Sequence, residues 1–268
     1  ALIVDSVSVS VDRVDSTGAT AATTADVQND LDATTDIHLK LLTGNLTTAV
    51  GAKLKAVDTD LQTVTGSAGL SNQLLSIQTD TLTVQTSQNA FIQASSSVDL
   101  LRMTTGAAAV LDVLGTDHAL IVTGAVNAGE DVRLSAAADI TVNDTIASTT
   151  GAVTLVAGED LTTQASIQAQ ADVYLRALSG AVSLNAGVVS VAEDVMVQAN
   201  GNVVVDQITA WSGNVWLKSE TGSVQDGSSA VAVKSLSLGV EASTGLGSVS
   251  DAFDVSVLEL ALNVQSGG

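Results

Sequence analysis

A pair of apolar residues, separated by one residue, returns about every 21 residues through the second half of this chain. Residues two apart in a β-strand point to the same side. Each pair therefore predicts one short strand with two inward side chains, and the repeat predicts that such strands stack. The pairs are Leu111/Val113, Val132/Leu134, Val153/Leu155, Val173/Leu175, Val195/Val197, Val215/Leu217, Leu236/Leu238 and Val255/Val257.

Two further columns of apolar residues follow with the same pitch. The second column contains Leu120, Ile140, Leu161, Val182, Val203 and Val224, and the third contains Val126, Ile146, Ile167, Val188, Ile208 and Val231. Three short strands in each repeat of about 21 residues predict a mainly β fold, a three-sided parallel β-helix or solenoid.

Composition agrees with this fold. The chain of 268 residues contains no proline, which would remove a hydrogen bond wherever it entered a stacked strand. Aromatic residues make up only 2%, as a narrow interior filled by stacked aliphatic side chains requires. Because the chain has no cysteine, neither a disulfide nor a thiolate metal site can stabilise it.

The chain divides near residue 90. Residues 91–268 are predicted to form the regular parallel β-helix, and residues 1–90 an N-terminal strand followed by an irregular or partly helical segment. The strand is indicated by Val7, Val9 and Val11, which alternate with polar residues.

The segment 22–90 leaves two interpretations open. Val50, Leu54, Val57, Leu61 and Val64 are spaced by four and three residues in turn, which is typical of an amphipathic helix. The many glycines and threonines nearby are poor helix formers and favour irregular solenoid coils instead.

Glycine and acidic residues mark the predicted corners. Gly151, Gly180 and Gly213 precede strands, and we expect them to adopt positive φ. The acidic or amide residues before the first-column strands are expected to bond within their own turns. These are Asp131, Asp172, Asp194, Asn214 and Asp254. Should the corners bind calcium, the candidate ligands are Glu130/Asp131, Glu159/Asp160 and Glu193/Asp194, but the sequence predicts no metal site and no cofactor.

The net charge and the absence of known motifs argue against nucleic-acid binding, membrane association and catalysis. A net charge of −20 argues against binding to nucleic acid or anionic lipid, which attract clusters of lysine and arginine. No apolar run approaches the length of a membrane-spanning helix. His38 and His118 have no evident partner, and no Ser-His-Asp order, phosphate loop or metal-binding histidine pair appears. The chain is therefore predicted not to be an enzyme and to have no catalytic residues.

The outward positions of the first column form a candidate contact surface. They bring together three of the nine basic residues, one of the two tryptophans and the single tyrosine. We interpret this surface as a site for a protein partner, with a glycan as the other possibility. Its residues are Arg133, Tyr174, Arg176, Met196, Trp216 and Lys218.

A second candidate contact is the strand that carries Val7, Val9 and Val11. Its unpaired edge is expected to join the last coil of another copy, around Phe253–Val264. Such a contact is head-to-tail and can generate a filament. The expected partners are therefore other copies of the chain or other surface proteins.

The Gly-x-Val-x-Leu-x-Ala units at 151–157 and 180–186 resemble the repeats of filamentous-haemagglutinin-like bacterial adhesins and related giant surface proteins. The resemblance covers residues 105–260. It implies a right-handed parallel β-helix that is secreted or held at the cell surface and acts as a non-enzymatic structural rod, either a filament subunit or a rod segment of an adhesin. The proline-containing secretion motif of such proteins is not in this proline-free chain. The alternatives are a carbohydrate-active β-helix enzyme and a calcium-dependent matrix module.

Overall fold

The computed structural model describes residues 6–14, 24–191, 193–248 and 250–265. Strands are the only regular secondary structure in these ranges, and no helix occurs in them. Neighbouring strands pair in parallel, so the predicted parallel β-solenoid is confirmed.

The strands are short and follow one another closely along the chain. The first ten are β1 Ser6–Val14, β2 Thr24–Val27, β3 Leu31–Leu41, β4 Asn45–Thr48, β5 Leu54–Lys55, β6 Asp58–Thr63, β7 Leu75–Gln78, β8 Thr81–Thr86, β9 Ala90–Ala94 and β10 Val98–Thr105. The next ten are β11 Ala109–Val113, β12 Leu120–Val122, β13 Val126–Ala128, β14 Val132–Ala136, β15 Ile140–Val142, β16 Ile146–Ser148, β17 Val153–Ala157, β18 Leu161–Thr163, β19 Ile167–Ala169 and β20 Val173–Ala177. The last ten are β21 Val182–Leu184, β22 Val188–Ser190, β23 Val195–Ala199, β24 Val203–Val205, β25 Ile208–Ala210, β26 Asn214–Ser219, β27 Ser223–Asp226, β28 Val233–Ala242, β29 Gly245–Leu246 and β30 Val255–Val264.

From β11 to β25 each strand pairs with the strand three places later, which gives the solenoid three faces. After β25 the long strands β28 and β30 each span two faces, so β26, β27 and β28 pair with the strand two places later. Face 1 stacks β11, β14 and their successors; face 2 stacks β12 and β15; face 3 stacks β13 and β16. One circuit of the three faces, called a coil here, takes about 21 residues, and the solenoid has about 11 such coils.

The N-terminal third is also a solenoid, with longer strands. β3, β6 and β8 stack on one another and then on β10. Residues 98–100 of β10 pair with β12 and residues 103–105 pair with β13. In the coils up to β10, a single long strand therefore spans faces 2 and 3, and after β10 each of these faces has its own short strand.

The helical interpretation of this region is wrong for the described residues. Leu54 and Leu61 are buried in the solenoid core, whereas Val50, Val57 and Val64 are exposed. The spacing of four and three residues arises because inward leucines alternate with exposed valines beside the strands. A helix would have placed all five residues on one side.

A single apolar core runs through the coils from Leu31 to Ala242. The predicted register of the first column is confirmed from Val132 to Leu217. Beyond each end of that range the predicted register is wrong by two residues. Leu111 pairs with Leu134 rather than with Val132, and Leu238 pairs with Val215 rather than with Leu217. A shift of two residues keeps every side chain on the same side of the strand, so alternation alone cannot detect it.

The second column is confirmed throughout. The third is confirmed up to Ile208, which pairs with Val233 rather than with Val231. Val255 in turn pairs with Val233 and belongs to the third column. Leu260 of β30 takes the first-column place above Leu238.

The corner glycines have a different role from the one expected. Gly151, Gly180 and Gly213 are not among the glycines with positive φ. A Cβ atom on Gly151 would lie 2.3 Å from the Asp131 Oδ1 atom, and one on Gly213 would lie 2.0 Å from the Glu193 carbonyl oxygen. Glycine is required there because the preceding coil approaches too closely for a side chain.

Candidate functional site

The outward column on face 1 contains the predicted aromatic and methionine residues. Tyr174 is in register with Met196, and Met196 with Trp216. Met196 and Trp216 are exposed and Tyr174 is half-buried, while the inward neighbours Val195 and Val197 are buried. The predicted inward and outward sides of these strands are therefore confirmed.

Arg133 lies further along the same outward column, with Thr154 between it and Tyr174. Val110 rather than Asp112 is its register partner on β11. The Arg133 guanidinium nevertheless reaches Asp112 diagonally, with 3.2 Å between Nη2 and Oδ1. This ion pair holds Arg133 toward the N-terminal coils.

The other two basic residues occupy the adjacent outward column, where Arg176 is followed in register by Gln198 and then Lys218. The Lys218 ammonium lies 3.8 Å from Glu220 and 4.0 Å from Glu241. The Gln198 amide also donates a 2.8 Å hydrogen bond to Glu220. Lys218 is thus surrounded by acidic partners of its own chain.

A groove opens beside Trp216 that the sequence did not reveal. Trp216 is followed in register by Gly239 and then Ala261, so no large side chain fills the space next to the indole. The groove has a volume of ≈ 450 Å³, and its walls include Asp194 and Glu259. The predicted inward pair Leu236/Leu238 would place Ser237 beside Trp216. The true inward pair is Leu238/Val240, and the glycine between its two members is the sequence feature that indicates the groove.

The N-terminal contact strand is β1, of which the backbone alone is described. β1 pairs in parallel with β3, with Val9 opposite Ile37 and Val11 opposite Leu39. One edge of β1 is therefore used within the chain, and among the described residues no strand pairs with its other edge, so joining of another copy at that edge stays a prediction. Val7 lies in the same strand, and the side chains of all three valines lie outside the described part of the structure.

The last coil presents an apolar row at the C-terminal end of the core. Leu260, Leu262 and Val264 of β30 stand in register above Leu238, Val240 and Ala242. The first three, called the terminal apolar row here, are 51%, 51% and 39% exposed, whereas the three beneath them are almost completely buried. The row continues the inward stack of face 1, but its outer side has no further strand among the described residues.

The corner carboxylates and amides connect successive coils. Asp131 Oδ1 accepts a 2.9 Å hydrogen bond from the backbone N–H of Ala152, and Asp160 Oδ1 accepts one of 2.7 Å from Ala181. Each bond spans 21 residues and therefore one coil. The expectation that these residues bond within their own turns is wrong for Asp131, Asp172 and Asp194, which all accept from the following coil.

Two further observations concern histidine and metal chemistry. His38 Nε2 lies 3.1 Å from the Asp60 carboxylate on the neighbouring strand, a partner that the sequence did not indicate. His118 contacts the Leu114 carbonyl oxygen through Nδ1. Within the described ranges, no three or more His, Asp or Glu side chains are arranged to hold a metal ion.

No helix that could span a membrane occurs within the described part of the chain. Comparisons with protein-family models, with curated proteins and with solved structures found no match.

Proposed function

We propose that this chain is a non-enzymatic structural rod that lengthens by head-to-tail stacking of copies. The observation that carries the proposal is the terminal apolar row, Leu260, Leu262 and Val264, which continues the buried stack of face 1 with its outer side exposed. An exposed strand edge with inward apolar side chains is a template for another strand. Covering such side chains is favourable by up to about 1.5–3 kcal/mol for each one that becomes fully buried.

The order of the faces supports a second copy as the covering layer. β30 ends on face 1, above β28, so the next strand of a continuing solenoid would lie on faces 2 and 3. β1 lies on β3, which stacks through β6, β8 and β10 beneath faces 2 and 3. If β1 of a second copy follows β30 of the first, the strands therefore continue from face 1 to faces 2 and 3, in the same order as within one chain.

A structural role also suits the corner groups. The Asp131, Asp160 and Asp194 carboxylates each accept a backbone N–H from the next coil, so their chemistry serves stacking. The Gly-x-Val-x-Leu-x-Ala units resemble those of bacterial adhesins, and on that resemblance we infer that the rod works outside the cell or at its surface.

The proposal is tested by measuring particle mass against concentration by multi-angle light scattering. Leu262→Lys places a charge in the terminal apolar row and should abolish concentration-dependent growth. The matched control is Leu258→Lys, the same change in the same strand at a side chain that is 83% exposed and lies outside the row. The control should assemble as the parent chain does.

Circular dichroism melts of both variants check that each remains folded. Equal assembly of the two variants would contradict the proposal, as would a parent chain that stays monomeric at high concentration. Removal of β1 gives a further test, since β1 is the strand assigned to the joint. A chain without β1 that assembles as well as the parent chain, or better, would also contradict the proposal.

A further inference from the structure

We propose that the groove beside Trp216 binds a lysine or arginine side chain of a partner protein. The groove is formed on the outer side of face 1 by Trp216 of β26, Gly239 of β28 and Ala261 of β30. Gly239 leaves it open, since a Cβ atom placed there would meet no atom within 4 Å.

The apolar part of the groove suits the stem and charge of a basic side chain. The Trp216 side chain is exposed, and Met196 lies next to it in register. A cation positioned over an indole ring is attracted by the negative charge on the ring face. The aliphatic stem of lysine or arginine packs on apolar surface such as the methionine side chain.

The polar side chains in the groove wall offer a ligand more hydrogen-bond acceptors than donors. Asn214 Nδ2 donates to Asp194 Oδ1 at 3.0 Å, and Ser237 Oγ donates to Asn214 Oδ1 at 2.6 Å. These bonds within the wall use one amide hydrogen and the hydroxyl hydrogen. The carboxylate of Glu259 and the second oxygen of Asp194 are acceptors only.

This hydrogen-bond balance distinguishes a cation from a sugar. A sugar hydroxyl both donates and accepts, so a sugar ring would need donors that the wall has largely used. An ammonium or guanidinium group donates only and matches two carboxylates. The net charge of −20 also attracts a basic partner to the surface around the groove.

The groove exists within one copy and opens on the outer side of face 1, although Leu260 of the terminal apolar row is among its walls. Binding is therefore measured separately from end-to-end assembly, with Leu260 and Leu262 unchanged. The inference is tested by titrating the protein with a blocked tetralysine peptide and following tryptophan fluorescence. The Trp211→Phe background leaves Trp216 as the single tryptophan. We expect saturable binding that weakens with added salt.

Three variants locate the site. Gly239→Leu should block binding by filling the groove without removing either the indole or a carboxylate. Glu259→Gln should weaken binding severalfold, and Trp216→Leu, followed by calorimetry, should weaken it about two- to fivefold. The control Glu130→Gln removes an exposed carboxylate on a distant coil and should leave the affinity unchanged.

The inference is overturned if Gly239→Leu binds the peptide as the parent does, or if Glu130→Gln weakens binding as much as Glu259→Gln. It is also overturned if a neutral disaccharide saturates the fluorescence change while tetralysine produces none. Loss of assembly in the light-scattering experiment has no bearing on these outcomes, so the two proposals can fail separately.

Discussion

Asp160 connects three coils: its carboxylate Oδ1 accepts a 2.7 Å hydrogen bond from the backbone N–H of Ala181, and its backbone N–H donates a 2.9 Å hydrogen bond to Asp139 Oδ1. The same bond recurs at several corners and at both ends of the solenoid. Each instance satisfies a backbone N–H that would otherwise lack a partner at a turn. The donor–acceptor pairs besides those of Asp160 are Lys53–Asp30, Ser67–Asn45, Ala108–Asn89, Ala152–Asp131, Asp194–Asp172, Asn214–Asp194 and Ser223–Asn202.

Removing one of these corner acceptors should destabilise the solenoid. We expect Asp160→Ala to lower the free energy of unfolding by about 1–2 kcal/mol, because the Ala181 N–H loses a charged acceptor. Asp160→Asn keeps an acceptor oxygen and should cost less. Asp117→Ala, an exposed aspartate outside the strands, is the control and should stay within about 0.5 kcal/mol. Urea unfolding measures all three, and equal stability of Asp160→Ala and the control would refute the role of the bond.

Close approach between coils makes certain glycines irreplaceable. A Cβ atom on Gly158 would lie 1.8 Å from the Ala137 carbonyl oxygen, so Gly158→Ala should destabilise by about 1–3 kcal/mol through overpacking. Gly187→Ala is the matched control, since its nearest neighbour would be Gln207 Oε1 at 3.6 Å. Thermal melts of the pair should differ clearly. A Gly158→Ala melt as high as that of Gly187→Ala would show that the coils can separate at little cost.

Two buried hydroxyls, those of Thr59 and Thr163, have no hydrogen-bond partner among the described residues. The Thr163 Oγ1 atom is buried in β18, between Val142 and Leu184 in register. Thr163→Val replaces the hydroxyl with a methyl group of the same shape and should raise stability by about 1 kcal/mol or more. Thr162→Val, on the outward side of the same strand, should change it little. A destabilised Thr163→Val protein would mean that the hydroxyl has a partner.

The first described coils contain an ion pair with a defined pH dependence. A side-chain hydrogen bond from Lys55 holds the pKa of Asp30 below its usual value, with a backbone hydrogen bond from Lys53 acting in the same direction. The hydrogen bond to Asp30 in turn raises the pKa of Lys55. Because the folded pKa of Asp30 lies below the unfolded one, its contribution is present above the unfolded pKa and is lost as pH falls through the folded pKa.

For Lys55 the sign is opposite. Its contribution is present below the unfolded pKa and is lost as pH rises through the raised folded pKa, so the pair stabilises between these two limits. Carbon-detected NMR titration of Asp30 should show its midpoint rising in Lys55→Gln. Lys40→Gln is the control. An Asp30 midpoint that does not move in Lys55→Gln would rule out the ion pair in solution.

The sequence predicted the three-sided stack because inward residues such as Val173, Val195 and Val215 recur with little variation. It failed where the period was locally irregular. Leu111 and Leu238 both lay two residues from their predicted places, and a two-residue slip preserves the inward and outward pattern. The groove was missed for the same reason, since its floor depends on Gly239 standing in register with Trp216.

The corner chemistry was predicted in part. The sequence predicts glycine and aspartate at corners, but their partners lie one coil away in space, so the pattern of neighbouring residues does not reveal which N–H each aspartate accepts. The signal is the spacing itself: Asp131 precedes Gly151, and Asp160 precedes Gly180, by about one coil. In each case the acceptor bonds the N–H that follows the glycine, and the missing Cβ makes room for it.

The central claim, growth of a rod by stacking of copies, is tested most directly by electron microscopy of the purified protein over a range of concentrations. About 11 turns at about 4.8 Å each predict filaments with an axial repeat of about 53 Å. Such filaments should appear for the parent chain and for Leu258→Lys and be missing for Leu262→Lys. Single short rods of one subunit at every concentration, or filaments that form equally well with Leu262→Lys, would contradict the account.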